Sequence, residues 1–249
     1  MTNLSLAMTF ALVLLALYLS YKDKIGLEKD IMIGSVRAVL QLTVIGFILT
    51  YVFDLNNIFV TTLILGLMVY NAAVVSAKRG RGIYHIQRIA FFALLFGLVI
   101  TLGALLAFGA VEYQPSQVIP ISGMVVGNSM IAASLVFNNL RENFLRRREE
   151  IEIKLCLGAT SREAATSIIR QTIRSAMLPS IDSMKTLGIV QLPGMMTGLI
   201  LAGLPPTDAI KYQIMVAFML VGAVSVSVFI AAYWGSKSFF TEFEQLRQP

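Results

Sequence analysis

Two short stretches of this 249-residue chain combine proline, glycine, methionine and amide residues in a pattern that suits a path through an apolar protein. In both stretches a proline precedes a Gly-Met-x-x-Gly sequence; the first proline is Pro120 and the second is Pro193. Proline removes a helical hydrogen bond, and small residues four apart allow helices to approach closely. Because many transporters place their substrate at interrupted helices near the membrane midplane, these stretches predict a translocation path, although the glycines could equally serve helix packing alone.

Polar, proline and methionine side chains within the apolar stretches are the candidates for lining that path. Polar groups inside membrane spans usually face the protein interior. Methionine sulfur is a soft ligand that suits Cu(I), but methionine is also common core filler, so the sequence leaves any metal unknown. The candidate path residues are Arg37, Gln41, Asn71, Met124, Asn128, Met130, Pro193, Met195 and Met196.

The charged residues in the apolar stretches have simpler explanations as well. Arg37 and Gln41 lie one helical turn apart on the same face. Arg37 is about two turns from the inner end of its span, so its guanidinium could reach the interface. Asp182 and Lys185 are three residues apart and could pair on one helix face, and Asn71 could simply bond to a neighbouring helix.

The composition requires a membrane protein. Hydrophobic residues make up 57% of the chain and charged residues 14%, whereas about a quarter of a soluble domain is charged. The apolar residues form blocks near the ~20 residues that span a bilayer. We therefore predict an all-α polytopic bundle, a single permease domain over 1–249. Its seven spans are approximately 3–21, 31–53, 57–77, 89–111, 117–140, 176–204 and 211–234.

Lysine and arginine lie almost entirely on one side of this topology. With the N-terminus outside, one basic residue, Lys211, falls in an outer loop, and Arg37 and Lys185 fall within spans. The other seventeen lie inside: Lys22, Lys24, Lys29, Lys78, Arg79, Arg81, Arg88, Arg141, Arg146, Arg147, Arg148, Lys154, Arg162, Arg170, Arg174, Lys237 and Arg247. This positive-inside bias predicts an N-out, C-in protein of the cell (inner) membrane.

The longest inside segment, 141–175, has the features of a helix-turn-helix element. A charged helical piece ends at Gly158, a suitable C-cap, and Thr160 and Glu163 have the spacing of a capping box. The helix that follows is amphipathic. A plain basic loop held by anionic lipid headgroups is the alternative, but such a loop needs neither a cap nor a turn.

Several functions find no support in the sequence. The chain contains no Gly-x-x-x-x-Gly-Lys-Ser/Thr sequence, so any ATP must be bound by a partner. No nucleophile lies beside a base, and the single histidine and single cysteine exclude a His cluster and an internal disulfide. The basic residues are explained by topology. We therefore expect neither an enzyme nor a nucleic-acid-binding protein, and no cofactor in this chain.

The run from Glu152 to Ala159 resembles the coupling motif of ABC-transporter permeases, a glutamate six residues before a Gly-Ala turn. In that family the short helix before the glycine docks on the ATPase subunit. Lys154 stands where the family has a small residue, and the downstream Leu-Pro is displaced to Leu178-Pro179. The resemblance implies that the ATPase-coupling residues are Glu149, Glu152, Leu155, Gly158, Ala159 and Arg162.

Four motifs together resemble the Fet-type iron-export permeases, whose plant relatives are linked to aluminium tolerance. The motifs are Arg37-Ala-Val-Leu-Gln41-Leu42, Gly123-Met124-Val-Val-Gly127-Asn128-Ser-Met130, Leu155-x-Leu157-Gly158-Ala159-Thr160 and Gln191-Leu-Pro-Gly-Met-Met-Thr-Gly198, the last followed by Gly203-x-Pro205 and Tyr212-Gln213. The resemblance implies a permease homodimer that works with a separate ATP-binding subunit, which holds ATP and Mg. It also implies export of iron or a related metal or metal-linked solute. An ion-coupled secondary transporter or channel using Arg37, Asp182 and Lys185, and a scaffold that transports nothing, are the alternatives.

Overall fold

A computed structural model describes residues 3–80 and 82–247, with side chains from Met8 onward apart from position 81. Arg81, one of the predicted inside residues, therefore lies outside the described residues. The chain divides into two compact units, residues 1–57 and 58–249. The described part is all-helical and has no named strand, with isolated bridges at Leu187–Gln191 and Phe240–Leu246.

The first unit is a pair of helices, α1 (Asn3–Lys22) and α2 (Glu28–Leu55), which pack on each other. A tight turn joins them, with Gly26 at φ +80°. The Ser20 hydroxyl fixes this turn: it donates to Glu28 Oε1 at 2.9 Å and accepts from the Leu27 N–H at 3.2 Å. The polar groups at the start of α2 are thus tied to the end of α1.

The second unit contains seven α-helices within its described residues. They are α3 (Ile58–Ala77), α4 (Ile86–Ala107), α5 (Pro115–Arg146), α6 (Arg148–Cys156), α7 (Ser161–Thr186), α8 (Gly194–Leu201) and α9 (Pro206–Lys237). A 3-10 turn, Lys78–Gly80, follows α3. Helix α5 is central and packs against α3, α4, α7 and α9. Phe137, Leu140, Val224 and Val228 are fully buried where α5 meets α9.

Two glycines allow this tight packing around Phe137. A Cβ atom at Gly80 would lie 2.8 Å from Phe137 Cβ, and one at Gly235 would lie 2.8 Å from Leu140 Cδ1. Both distances are well below an ordinary van der Waals contact of about 3.5–4.0 Å. The 3-10 turn after α3 and the end of α9 can therefore pack closely on α5, because these positions carry no side chain.

Five helices of the described chain are long and apolar enough to cross a membrane: Glu28–Leu55, Ile58–Gly80, Ile86–Ala107, Pro115–Arg146 and Pro206–Lys237. They coincide with the second, third, fourth, fifth and seventh predicted spans. The described part of α1, Met8–Lys22, is apolar but shorter. The predicted sixth span, 176–204, is not one helix. It consists of the end of α7, an irregular stretch from 187 to 193, and the short α8.

The inside segment also differs from its prediction at one point. The charged helical piece before Gly158 is interrupted at Arg147, whose φ of −105° and ψ of 27° lie outside the helical range. The residues before it continue α5, and those after it form the separate helix α6. The predicted amphipathic face of α7 is confirmed as a buried one: Ala164, Ala165, Ile168, Ile169 and Thr172 are covered by the rest of the unit.

Candidate functional site

A cavity of about 510 Å³ lies between α5, α7, α8 and α9. The irregular stretch that interrupts the predicted sixth span forms part of its wall, because Leu187, Gln191 and Pro193 line it. Pro179, inside α7, lines it as well and leaves one helical carbonyl without its usual donor. The broken segment thus forms one side of a cavity in the second unit.

The cavity wall is largely apolar and carries a few uncharged polar side chains. Asn128 donates its side-chain N–H to Met124 O in its own helix at 2.8 Å. The Ser183 hydroxyl donates to Gln191 Oε1 at 3.3 Å. Gln213 on α9 is only 9% exposed, and its Oε1 atom has no hydrogen-bond partner in the described part of the chain. A buried unpaired acceptor is costly, and this one belongs to a residue of the cavity wall.

Three methionines, Met124, Met184 and Met195, also line the cavity. None of its lining residues in the described chain is Asp, Glu, Lys, Arg or His, and no group of three or more His, Cys, Asp or Glu residues is placed to hold a metal there or elsewhere in those residues. The wall can therefore offer amide and hydroxyl hydrogen bonds and soft thioether contacts. It offers no side-chain charge to balance a bare multivalent cation.

The structure brings together four of the predicted path residues and separates the others. Met124, Asn128, Pro193 and Met195 line the cavity, whereas Met196 does not, and Met130 packs against the buried core. Asn71 is exposed on α3 and bonds to Leu67 O in its own helix at 3.0 Å. Arg37 and Gln41 are exposed on α2 in the first unit, and neither is among the residues that line the cavity.

Three of the four glycines in the two Gly-Met-x-x-Gly stretches have open space beside them in the described chain. A Cβ atom at Gly127, Gly194 or Gly198 would have nothing within 4 Å, and one at Gly123 would meet the flexible end of Met68 at 3.3 Å. Close helix contacts in this unit occur elsewhere, at Gly80 and Gly235. Of these four motif glycines, therefore, Gly123 is the one that lies close enough to another helix of the subunit for an added Cβ to crowd it.

The second candidate region is the turn between α6 and α7, and it forms as predicted. The Ala159 N–H donates to Lys154 O at 3.0 Å, and the Gly158 N–H to Leu155 O at 3.0 Å. This pair of bonds is a Schellman motif, which requires a left-handed residue at its turn. Gly158 takes that position with φ +90°, a conformation costly for any residue with a Cβ.

The capping box at the start of α7 is complete. The Thr160 N–H donates to Glu163 Oε2 at 2.9 Å, and the Glu163 N–H donates back to the Thr160 hydroxyl oxygen at 3.3 Å. The Thr160 hydroxyl also bonds this carboxylate at 2.8 Å. The backbone bond first, and the hydroxyl second, lower the pKa of the Glu163 carboxyl below its usual value.

Helix α6 has an outward face made of Glu149, Glu152, Ile153 and Cys156, which follow the i, i+3, i+4, i+7 spacing of one helix surface and are all exposed. We call these residues, together with Leu157, the α6 face; Leu157 is 83% exposed. Exposed large apolar groups beside carboxylates suit a protein contact better than water alone.

Two ion pairs support α6 from its flanks. Arg148 Nε bonds Glu152 Oε1 at 2.8 Å, and Lys154 Nζ bonds Glu150 Oε1 at 2.6 Å. The hydrogen bond from Lys154, and next its charge, lower the pKa of the Glu150 carboxyl. Pairs four residues apart stabilise a short helix, which keeps the α6 face in place.

The predicted coupling residues divide between two surfaces. Glu149, Glu152 and Arg162 are exposed, but Leu155 is half-buried and packs against the core of the unit. Ile153 and Leu157, which were not among the predicted coupling residues, are the large apolar residues exposed on the α6 face. The helical spacing from Glu149 and Glu152 would have identified Ile153.

Comparison with known proteins gives the chain its family. A family model described as "Uncharacterised protein family (UPF0014)" matches residues 3–240. The chain belongs to the UPF0014 family. No solved structure matches it.

Three relatives, from two bacteria and a plant, match this UPF0014 protein over most of its length. It is 44% identical over 245 residues to "Probable iron export permease protein FetB" of Escherichia coli (strain K12), covering 98% of this chain and 95% of the relative. It is 38% identical over 249 residues to "UPF0014 membrane protein YjkA" of Bacillus subtilis (strain 168), covering 100% and 99%. It is 36% identical over 241 residues to "Protein ALUMINUM SENSITIVE 3" of Arabidopsis thaliana, covering 97% and 88%.

These matches confirm the predicted Fet-type resemblance over nearly the whole chain. Together with the long apolar helices, they make this UPF0014 member a multi-pass membrane protein.

One cavity residue, Gln213, was part of the quoted motifs but was not among the predicted path residues. An uncharged amide in an otherwise apolar span was the signal that could have identified it.

Proposed function

We propose that this chain is the permease subunit of an ABC transporter. It crosses the membrane seven times with its N-terminus outside and C-terminus inside, pairs with a second copy, and works with a separate subunit that binds ATP and Mg. Its cargo is iron or a related metal, or a solute linked to one. The relative named as a probable iron export permease supports the cargo and the direction.

The observation that carries the proposal is the continuity of α7 between the two candidate regions. Helix α7 begins at Ser161, directly after the Gly158 turn, and its last third contributes Pro179, Ser180 and Ser183 to the cavity wall. A helix of 26 residues is about 39 Å long. A shift of the turn on an ATPase subunit would therefore be transmitted along one element to the cavity.

The cavity wall limits how a metal could travel. With amide, hydroxyl and thioether groups but no side-chain charge, it suits a soft ion or a metal already bound by its own ligands. The pair Asp182–Lys185, on which an ion-coupled mechanism would depend, is confirmed at 3.5 Å, but both side chains are largely exposed and neither lines the cavity. The residues of the cavity wall therefore give no support to the ion-coupled alternative.

The docking step is tested by co-purification with the cognate ATP-binding subunit in mild detergent. Replacing Leu157→Ser removes an apolar side chain that docking would bury, and losing about 1.5–3 kcal/mol weakens binding about tenfold or more. Phe108→Ser is the matched control, because Phe108 is 82% exposed and ends α4 as Leu157 ends α6, but at the opposite end of the unit. Equal retention of the ATPase subunit by both variants would show that the α6 face is not the docking surface.

The transport step is tested separately in reconstituted vesicles with that ATPase. We expect ATP hydrolysis to rise on addition of one of Fe, Zn, Cu or Al, supplied free or chelated. A stable complex whose hydrolysis responds to none of them would leave the ABC assignment standing and refute the metal cargo. Absence of any bound ATPase would refute the ABC assignment itself.

A further inference from the structure

A second cavity, of about 560 Å³, lies at the end of the unit where α5 stops and α4 begins. Four of its lining residues are basic: His85, Arg141, Arg148 and Arg247. Within the described residues no Asp or Glu lines it. We call this cavity the basic pocket; it is separate from the cavity that Gln213 lines, and no residue is shared between them.

The three guanidinium groups of the basic pocket have N–H donors that no described residue accepts. Arg141 makes no hydrogen bond or ion pair with any described residue. Arg247 uses Nε for Phe240 O at 3.0 Å, and Arg148 uses Nε for Glu152 Oε1 at 2.8 Å. The terminal nitrogens of both side chains are left for another acceptor, and each guanidinium has five N–H groups to donate.

The part of the pocket that follows α9 is held in place rather than loose. The Phe239 ring stacks on Phe144 with 4.1 Å between centroids and 4° between planes. The Arg247 N–H donates to Phe239 O at 2.8 Å, and its guanidinium lies 4.6 Å from the centre of the Tyr84 ring. Arg247 is therefore fixed over the pocket by stacking and by hydrogen bonds before any ligand arrives.

The start of α4 adds to the positive potential. His85 is the N-cap residue, in a left-handed conformation at φ +54°, and its side chain does not cap the helix. The free N–H groups and the dipole of a helix N-terminus favour a negative group. The start of α4 borders the basic pocket through His85, but Ile86, Gln87 and Arg88 of its first turn do not line it. The guanidinium groups therefore supply the direct contacts to a ligand.

We propose that the basic pocket binds a phosphate group carried by an amphipathic or small organic molecule. Planar guanidinium groups match phosphate oxygens in pairs, and three arginines with free terminal nitrogens line this pocket. Among the described residues, the carboxylate paired with them is that of Glu152, which bonds Arg148 Nε and does not line the pocket. Ile83, Leu145 and Leu246 give the pocket apolar walls beside the basic groups, which suits the part of the ligand next to the phosphate. An anionic phospholipid headgroup and a soluble phosphate ester share this chemistry.

The test uses the full chain in nanodiscs and follows thermal unfolding. One arm compares phosphatidylcholine with a phosphatidylcholine–phosphatidylglycerol mixture, and the other titrates inorganic phosphate into phosphatidylcholine discs. Stabilisation in the first arm identifies a lipid headgroup, and stabilisation in the second identifies a soluble phosphate. Stabilisation in neither arm would overturn the proposal.

Variants show whether the effect belongs to this pocket. Arg141→Gln should weaken the apparent affinity about tenfold, because a hydrogen bond to a charged group is lost, and Arg141→Gln with Arg247→Gln should abolish the shift. Arg146→Gln with Arg170→Gln removes the same charge from exposed residues outside the pocket. If this control loses the shift as fully as the pocket variant, the binding is diffuse attraction and the pocket assignment is wrong. Arg141→Gln alone removes no bond within the described chain, so its fold is expected to survive.

Discussion

The α6–α7 turn and the cavity beside α9 differ in whether their polar groups have hydrogen-bond partners. At the turn, the N–H groups of Gly158, Ala159, Thr160 and Glu163 each find a partner within five residues of chain. In the cavity, Gln213 Oε1 finds none among the described residues. These N–H groups of the turn are satisfied by neighbouring residues, and the turn presents its α6 face outward, whereas the wall of the cavity holds a buried acceptor without a partner in the described chain.

This contrast suggests different roles for the α6–α7 turn and the cavity, which helix α7 joins. A turn whose N–H groups bond within the chain keeps its conformation when a partner binds, because its hydrogen bonds do not depend on that partner. A cavity with an unpaired acceptor in its wall changes its energy with its contents, because each buried unpaired group gains a partner when cargo or water enters. If the α6 face docks on an ATPase subunit as proposed, helix α7 connects that docking surface to the cavity.

The largest effect is expected from softening α7 between the two regions. Arg174 and Ser175 are both exposed, so Arg174→Gly with Ser175→Gly removes no core contact, yet it costs helix stability by about 1 kcal/mol per glycine. The ATPase subunit should stay bound while cargo no longer stimulates hydrolysis. Stimulation is read in reconstituted vesicles against Arg174→Ala with Ser175→Ala, which keeps the helix stiff. Unchanged stimulation in the glycine variant would mean that α7 does not transmit the signal.

A smaller effect is expected from changing the turn itself. Gly158→Ala places a Cβ in open space but at φ +90°, which costs about 1–2 kcal/mol. The α6 face should lose its orientation, and retention of the ATPase subunit in a pull-down should fall about tenfold. Gly158→Asn is the control, because asparagine tolerates the left-handed conformation better. If asparagine weakens retention as much as alanine does, backbone conformation is not the cause.

How far the sequence could predict the two regions follows from the same contrast. The turn was fully predictable because a glycine and a Thr-x-x-Glu spacing act over a few residues. The cavity was predictable only in part: Met124, Asn128 and Met195 were identified, but Pro179 and Gln213 line it because of which helices meet. The inward side of Leu155 depends on the interruption at Arg147, which no local motif marks.

Gln213 allows the cavity half of the comparison to be tested directly. Gln213→Leu removes a buried acceptor without a partner, so the free energy of unfolding should rise by about 1 kcal/mol, while stimulation of ATP hydrolysis by cargo should fall. Thermal unfolding and vesicle assays measure the two effects. The control is Gln171→Leu, since Gln171 is exposed and its Oε1 accepts from Arg147 Nη2 at 3.0 Å; no gain in stability is expected there. A less stable Gln213→Leu protein would mean that the oxygen already has a partner, such as a buried water.

The smallest effect is a pH dependence confined to the start of α7. The pKa of Glu163 is lowered in the folded protein, so its carboxylate stabilises the first turn above the usual glutamate pKa. That contribution is lost as the pH falls through the lowered folded value. Hydrogen exchange at the Glu163 amide, corrected for the intrinsic rate, should therefore lose protection on acidification from neutral pH to below the usual glutamate pKa.

The variant Glu163→Gln separates this titration from general acid effects. Glutamine keeps the reciprocal bond to the Thr160 N–H of a capping box but cannot titrate. In this variant, the hydrogen-exchange protection of the amide at position 163 should be weaker at neutral pH and should not change across the same acid range. The Glu150–Lys154 pair on α6 also weakens in acid, because the pKa of Glu150 is likewise lowered, but that change should appear in α6 amides of both proteins. If the first turn of the glutamine variant loses protection in step with the parent protein, the capping carboxylate is not the titrating group, and the turn depends on more than its own hydrogen bonds.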